Sequence, residues 1–514
     1  MPRRKFAQAA PPSTRCLVDT LPAELLHSIF ELLDHEDVLA TRATCKLLAA
    51  VGADHILHEV ALVYHRDRFK GLTELANHPT FSRQVKSLWF QGDRFPKDTN
   101  YQTWDSHRSV PKEAPLDVDP TPGIEYDGES KRYLRAFGRG FLRIMEERKA
   151  RKASYPQHLL DRAYQAYVKL AEDQQQIQTE GFDLHCLTEL LRGCPNLSDI
   201  TLAFYQAMPA LCRSTKVFRE TMTECLGDCY EETQGVEQTL AIARAVRRSG
   251  HNLTALTLSD VSPRLLRLNR EEHDLLRSMF EPLHRLRVSI QSYANDDDEV
   301  VQDSLLEEAV GCLRTGALAT LLRGCDHLRV LKLHMPFHLE LGGPDPQNAV
   351  TTLADVMPEV QYTHLIEFGV AHVCTTASEL RQILIRHKST LRRLTLSYVF
   401  LEDGTWKDFF KEFGGNLPLL RKARLRGLFL SEELGEEFDF DEPGLISRRD
   451  SPLRDAIENY LIKGGDWPDI DALPSKGPYP WEDPDYTPPS LPDIGPDPTD
   501  PALEYAWHEF DEHM

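Results

Sequence analysis

LTELLRGCPNLSDITL, from Leu187 to Leu202, and LATLLRGCDHLRVLKL, from Leu318 to Leu333, align without a gap. Each carries the end of an amphipathic helix, a Gly-Cys turn, and leucines at spacings of three and then two. A spacing of two puts alternate side chains on one face of a short strand. Weaker copies of this L-x-x-L-x-L step stand at Leu253, Leu256 and Leu258; at Leu283, Leu286 and Val288; at Leu365, Phe368 and Val370; and at Leu391, Leu394 and Leu396, with a degenerate copy at Leu420, Ala423 and Leu425. Val85, Leu88 and Phe90 read as an earlier strand of the same kind.

Helical segments precede several of these steps, such as Thr239 to Arg248 before Leu253 and Glu379 to Lys388 before Leu391. The unit is therefore helix, turn, strand. One unit cannot bury its own apolar face, whereas a stack of them can. The strand step resembles that of leucine-rich repeats, although its starts lie roughly 26 to 56 residues apart against about 20 to 29 in regular arrays, so loops must be inserted. The expected fold class is α/β, with a parallel sheet inside and helices outside in an irregular solenoid over residues 181–430.

A different pattern occupies Leu17 to Val60. Thr20 suits an N-cap, Pro22 the first helical turn, and Glu24 the positive end of the helix dipole. Leu25, Leu26, Ile29, Phe30, Leu32 and Leu33 make an apolar stripe wider than one neighbouring helix needs. Charge at Asp34 to Asp37 breaks the run, and Val38, Leu39, Ala40, Ala43, Cys45, Leu47 and Leu48 restart it. A third short helix is expected around Ala53 to Leu62. Leu21, Pro22, Glu24, Leu25, Leu26, Ile29, Phe30, Leu33, Asp37, Val38, Leu39, Cys45 and Lys46 resemble the F-box. In one departure from that family's pattern, Leu48 stands where an aromatic residue is often found.

The resemblance to F-box proteins with a leucine-rich-repeat-like C-terminal region, of fungal type, implies a substrate receptor of an SCF-type cullin–RING ubiquitin ligase. Its adaptor-binding residues would be Leu21, Pro22, Leu25, Leu26, Ile29, Phe30, Leu33, Val38, Leu39, Cys45 and Lys46. The adaptor would link the chain to the cullin, and the rest of the chain would select a protein substrate. No catalytic residue, metal or other cofactor is implied. An interaction scaffold using the same module outside ubiquitination is the alternative, and an ordinary helical hairpin opening on Leu-Pro is the plain one.

Composition bounds the rest. The chain has 514 residues, 41% of them apolar, which is enough for a substantial core beside the small module. A formal charge of −21 argues against a nucleic-acid partner. No long apolar run or signal core occurs, so no membrane partner is expected and the cytosol or nucleus is the expected location. The ten cysteines lack a paired CxxC set and read as reduced thiols; Cys225 and Cys229 are the closest pair. His364 and His372 flank a strand as edge residues. Glycine-rich phosphate loops, HExxH, GxSxG and kinase motifs are absent, which argues against an enzyme.

The expected organisation is a disordered stretch at 1–15, the helical module at 16–62, a connecting helix and strand at 63–95, and a polar loop with a two-helix insertion (Tyr133 to Arg151, Gln157 to Gln176) at 96–180. The repeats follow at 181–430 and an acidic, Pro-rich tail at 431–514. In each strand the residues flanking the central leucine should point away from the core, to a solvent-facing concave surface. Arg285, Arg287, Arg329, Lys332, Arg393, Lys422 and Arg424 then form a basic face suited to an acidic or phosphorylated substrate. Two other readings stay open: solvated strand charges without a ligand, and a face covered by the chain's own acidic tail.

Overall fold

The computed structural model describes residues 21–30, 32–33, 35–107, 155–204, 220–222, 233–290, 307–336, 351–432, 437–440 and 452–470. Three short helices open it: α1 (Ala23–Phe30), α2 (His35–Arg42) and α3 (Lys46–Gly52). Then follow β1 (Glu59–Val63), α4 (Arg66–Ala76), β2 (Ser87–Gln91), α5 (Tyr101–His107), α6 (Gln157–Glu180), α7 (Phe182–Gly193) and β3 (Asp199–Ala203). The alternation continues through α8 (Val236–Ser249), β4 (Ala255–Val261), α9 (Arg270–Phe280), β5 (Arg285–Ile290), α10 (Ala317–Arg323), β6 (Val330–His334), α11 (Leu353–Val356) and β7 (Glu367–Thr375). It closes with α12 (Ala377–His387), β8 (Arg393–Leu401), α13 (Trp406–Phe413), β9 (Lys422–Arg426), β10 (Leu428–Ser431), β11 (Glu437–Asp439) and α14 (Pro452–Lys463).

Strands β1 to β8 lie side by side in chain order and in parallel; β9 and β10 both pair with β8, and β11 returns antiparallel to β10. Strict sequential order with helical returns is what stacking of like units produces. The leucines that begin each step, Leu197, Leu253, Leu283, Leu328, Leu365 and Leu391, are fully buried against the helices. A backbone relay fixes the register at the strand entries. The carbonyls of His58, Lys86, Ser198, Thr254, His284, Arg329, Ile366 and Arg392 each accept two N–H groups from the next strand's approach.

The relay starts at His58, so the sheet begins earlier than residue 181: β1 and β2 are its first two strands. This corrects the expected third helix at Ala53 to Leu62. Residues Ala53–His55 make a single 3-10 turn and Glu59–Val63 is strand. The stretch from Val38 to Leu48 is likewise two helices. Cys45 takes an extended conformation (φ −156°) and its Sγ accepts from the Leu48 N–H, which starts α3 afresh.

The far end also differs from expectation. Residues beyond 430 are not all tail, since β11 pairs with β10 and α14 seats Ile457 and Leu461 in the main core. From the inserted region, α6 packs Leu160, Ala163, Tyr167, Leu170 and Ala171 with Val63, Phe95 and Trp104. Gln174 ties it to the sheet by accepting from the Phe95 N–H and donating to the Tyr64 carbonyl. The expected helix at Tyr133 to Arg151, Thr20, the Cys225 and Cys229 pair, and the tail from 471 onward lie outside the described residues. No helix among the described residues is long and apolar enough to cross a membrane.

Candidate functional site

The helical module has its own small core of Leu26, Phe30, Val38 and Val51, with Leu33, Leu48 and Ile56 partly buried beside it. Gly52 permits this packing: a Cβ there would overlap the Phe30 ring and the Arg42 stem. His55 stacks on the Phe30 ring and hydrogen-bonds His27 at 2.9 Å. The Arg42 Nε–H reaches the Ala49 carbonyl and joins α2 to α3.

This core divides the residues expected to face an adaptor. Leu21, Pro22, Leu25, Ile29, Leu39, Cys45 and Lys46 are exposed, Leu33 is half-buried, and Leu26, Phe30 and Val38 are buried. The last three are therefore a correction: they hold the module together and cannot present a surface. Two exposed apolar residues of the stripes, Leu32 and Leu47, belong with the outward set although the expected adaptor-binding residues leave them out. Their signal was spacing, since Leu25, Ile29 and Leu32 recur at four and three. Of the nine large hydrophobic side chains exposed among the described residues, six lie between Leu21 and Leu47. Such concentration marks an interaction surface, whereas single exposed leucines are ordinary. The module is joined to the sheet by the His58 carbonyl relay and by Gln84, whose Nε2 donates to Asp54 at 2.9 Å.

On the sheet, the register sets out two rows on the face opposite the helices. One runs Asp199, Ala255, Arg285, Val330, Glu367, Arg393, Lys422; the next runs Thr201, Thr257, Arg287, Lys332, Gly369, Thr395, Arg424. Six of the seven expected basic residues, all but Arg329, are brought onto this face, but they are not simply solvated. Arg285 pairs with Asp199 at 2.8 Å. Lys332 is buried and pairs with Glu367 at 2.7 Å, while the other Glu367 oxygen accepts from Arg393 at 2.6 Å. Burial pushes the Lys332 ammonium down to about 8, and the charges of Arg287 and Arg424 add to that push even though Glu367 opposes it. Lys422 is lowered by burial and by Arg424 and Arg393. Arg329 is exposed at the strand entry.

A third row was not anticipated. The Ser289 hydroxyl lies 2.9 Å from both Asp260 and His334 Nδ1. His334 is 4.8 Å from the His372 ring, which stacks on Tyr398 at 4.7 Å. Asp260, His372 and Tyr398 have φ of 55°, 56° and 49°, and Gly427 has φ 70°. The signal was available, for each stands two residues after the last apolar residue of its strand step. Burial pushes Asp260 up to about 6 and His334 down to about 4. Here the serine sits between the carboxylate and the imidazole. Activation of a serine nucleophile needs the imidazole in the middle, so this is a structural hydrogen-bond chain. Burial also raises the thiols of Cys194 to about 11 and Cys325 to about 12, away from reactive thiolates. No group of three metal-ligating side chains forms among the described residues.

The fold is a helical module with an exposed apolar flank, joined to a solenoid-like parallel sheet. The F-box-like family model matches residues 18–59, so the chain bears an F-box-like domain, of a kind that generally binds the SCF adaptor. No curated protein matches the chain.

Proposed function

We propose that the chain is the substrate-recognition subunit of an SCF-type cullin–RING ubiquitin ligase, working in the cytosol or nucleus. The observation that carries this reading is the exposed set Leu21, Leu25, Ile29, Leu32, Leu39 and Leu47, which falls within the F-box-like match. The adaptor would cover it and connect the chain to the cullin. Beyond the module, the repeating strands, leucine-rich-repeat-like in their step, would hold a protein substrate on the face bearing Arg287, Arg393, Lys422 and Arg424, an acidic or phosphorylated one by charge. The chain would then contribute proximity, raising the substrate's effective concentration near the ubiquitin-loaded enzyme.

Mixing the purified chain with adaptor, cullin and RING subunit tests this reading. Co-elution as one complex, together with module-dependent ubiquitin transfer to proteins bound by the sheet, is the expected result. Co-elution without ubiquitin transfer would favour the scaffold alternative, and absence of co-elution would overturn both.

A further inference from the structure

The backbone relay at the strand entries sets out a row with one residue per strand, one register before the sheet face. From β2 to β9 it runs Lys86, Ser198, Thr254, His284, Arg329, Ile366, Arg392 and Arg421. Acids outnumber Lys and Arg by 80 to 59 in this chain, yet the row holds four Lys and Arg, one His and no acid. All five of these side chains are exposed, as are His327 and His364 at the turns before β6 and β7.

The cations of this rim differ from those on the helices. Arg192 on α7, Arg244 on α8, Arg277 on α9 and Arg381 on α12 each meet a carboxylate within 3.3 Å. Lys86, Arg329, Arg392 and Arg421 form no ion pair or side-chain hydrogen bond with a described residue, Asp326 at the turn before β6 included. Arg392 and Arg421 also stand side by side, since the Arg421 N–H donates to the Arg392 carbonyl at 2.8 Å. Like charges directly across neighbouring strands are destabilising. An anion bound between two guanidinium groups reverses that sign, because each can donate two parallel bonds to a carboxylate.

The spacing selects the anion's carrier. Arg329 to Arg421 covers three strand spacings, about 15 Å. An extended peptide crosses that distance in about five residues and turns alternate side chains to one side, so acids at every second position can meet the three guanidinium groups.

We propose that the strand-entry rim of β6 to β9, formed by Arg329, Arg392 and Arg421, is a docking site for an extended acidic segment of a partner protein, with carboxylates at alternate positions. This rim is separate from the sheet face, and the proposal does not rest on the receptor reading. A protein segment is chosen over nucleic acid because a chain of formal charge −21 repels a strand charged at every residue, whereas a few carboxylates match the few cations of the rim.

The test is titration of a labelled peptide, Ser-Glu-Ser-Glu-Ser-Glu-Ser, with three full-length chains: wild type, the rim variant Arg329→Gln/Arg392→Gln/Arg421→Gln, and a charge-matched control, Arg192→Gln/Arg277→Gln/Arg381→Gln. The rim variant should bind the peptide about tenfold or more weakly, and the control should stay within about twofold of wild type. Should the rim variant lose thermal stability, Arg392→Gln with Arg421→Gln should still weaken binding at an unchanged Tm. No binding by the wild-type chain, equal loss in the rim variant and the control, or tighter binding of an oligothymidylate of the same length would each overturn the proposal. No adaptor takes part, so failure here leaves the receptor reading standing.

Discussion

Leu25 and Leu26 are neighbours in the chain and meet different surroundings: Leu25 is 52% exposed and Leu26 2%. One helical residue turns the side chain by about 100°, so a stripe two residues wide can serve two partners. Leu26 and Phe30 face the module's own core. Leu25 and Ile29 face outward.

Phe30→Ala removes the largest side chain of a core that has only four buried members. Phe-to-Ala changes in cores cost about 3–5 kcal/mol. The small module should lose its fold while the sheet keeps its own, because the two cores are separate clusters. Hydrogen exchange should show protection lost across residues 21–52 and kept in β3 to β8.

Lys332 and Glu367 should respond unequally to removal of the partner. Lys332→Met leaves Glu367 paired with Arg393, so its cost is moderate. Glu367→Gln removes the carboxylate that Lys332 and Arg393 share, with Arg287 and Arg424 close to the Lys332 ammonium, and breaking buried ion pairs costs up to about 3–5 kcal/mol. Urea unfolding should therefore rank Glu367→Gln as the more damaging. Equal midpoints for the two variants would contradict the assigned pairing.

Glu458 gives a pH signature. Burial pushes its carboxyl up to about 7 from an ordinary 4.5, against the opposing Leu425 N–H and Arg454. Between these values the folded chain keeps a proton that the unfolded chain has released. This residue's contribution to stability therefore falls as pH rises from 4.5 through 7 and stays low above it. Glu458→Gln retains an acceptor for the Leu425 N–H without an ionisation. Its gain in Tm over wild type should be small near pH 4.5 and grow to a plateau by pH 8. A gain that does not change with pH would rule this out.

Gly427 and Gly250 both have positive φ, 70° and 67°. A Cβ at Gly250 would meet open space, whereas at Gly427 it would overlap the Tyr398 ring. Gly250→Ala should cost about 1 kcal/mol from backbone strain alone. Gly427→Ala should cost clearly more, as measured by denaturant midpoints, and the difference reports the ring packed on the glycine.

Much of the sheet was legible because its strand step is local: three apolar positions within six residues specify a strand and its inward face. Strand β1 follows the same step at Leu57, Val60 and Leu62, but ADHILHEVAL also carries helical spacing, and the helical reading prevailed. Helix α14 was hidden by its Pro- and Asp-rich surroundings, although Ile457 and Leu461 stand four apart. Ion pairs across rows were not legible. Arg285 and Asp199 are 86 positions apart, and only the register brings them together. The division between Leu25 and Leu26 was likewise beyond reach, since it depends on where α3 places Gly52 against Phe30.

The central claim is that the outward leucine and isoleucine side chains of α1 are an adaptor-binding surface. Titrating purified adaptor into the full-length chain, wild type against Leu25→Asp/Ile29→Asp, tests it most directly. Each buried aliphatic side chain contributes roughly 1.5–3 kcal/mol, so losing both should weaken binding by about a hundredfold or more while thermal unfolding of the sheet stays unchanged. Equal affinities, or no binding by the wild-type chain, would contradict the account.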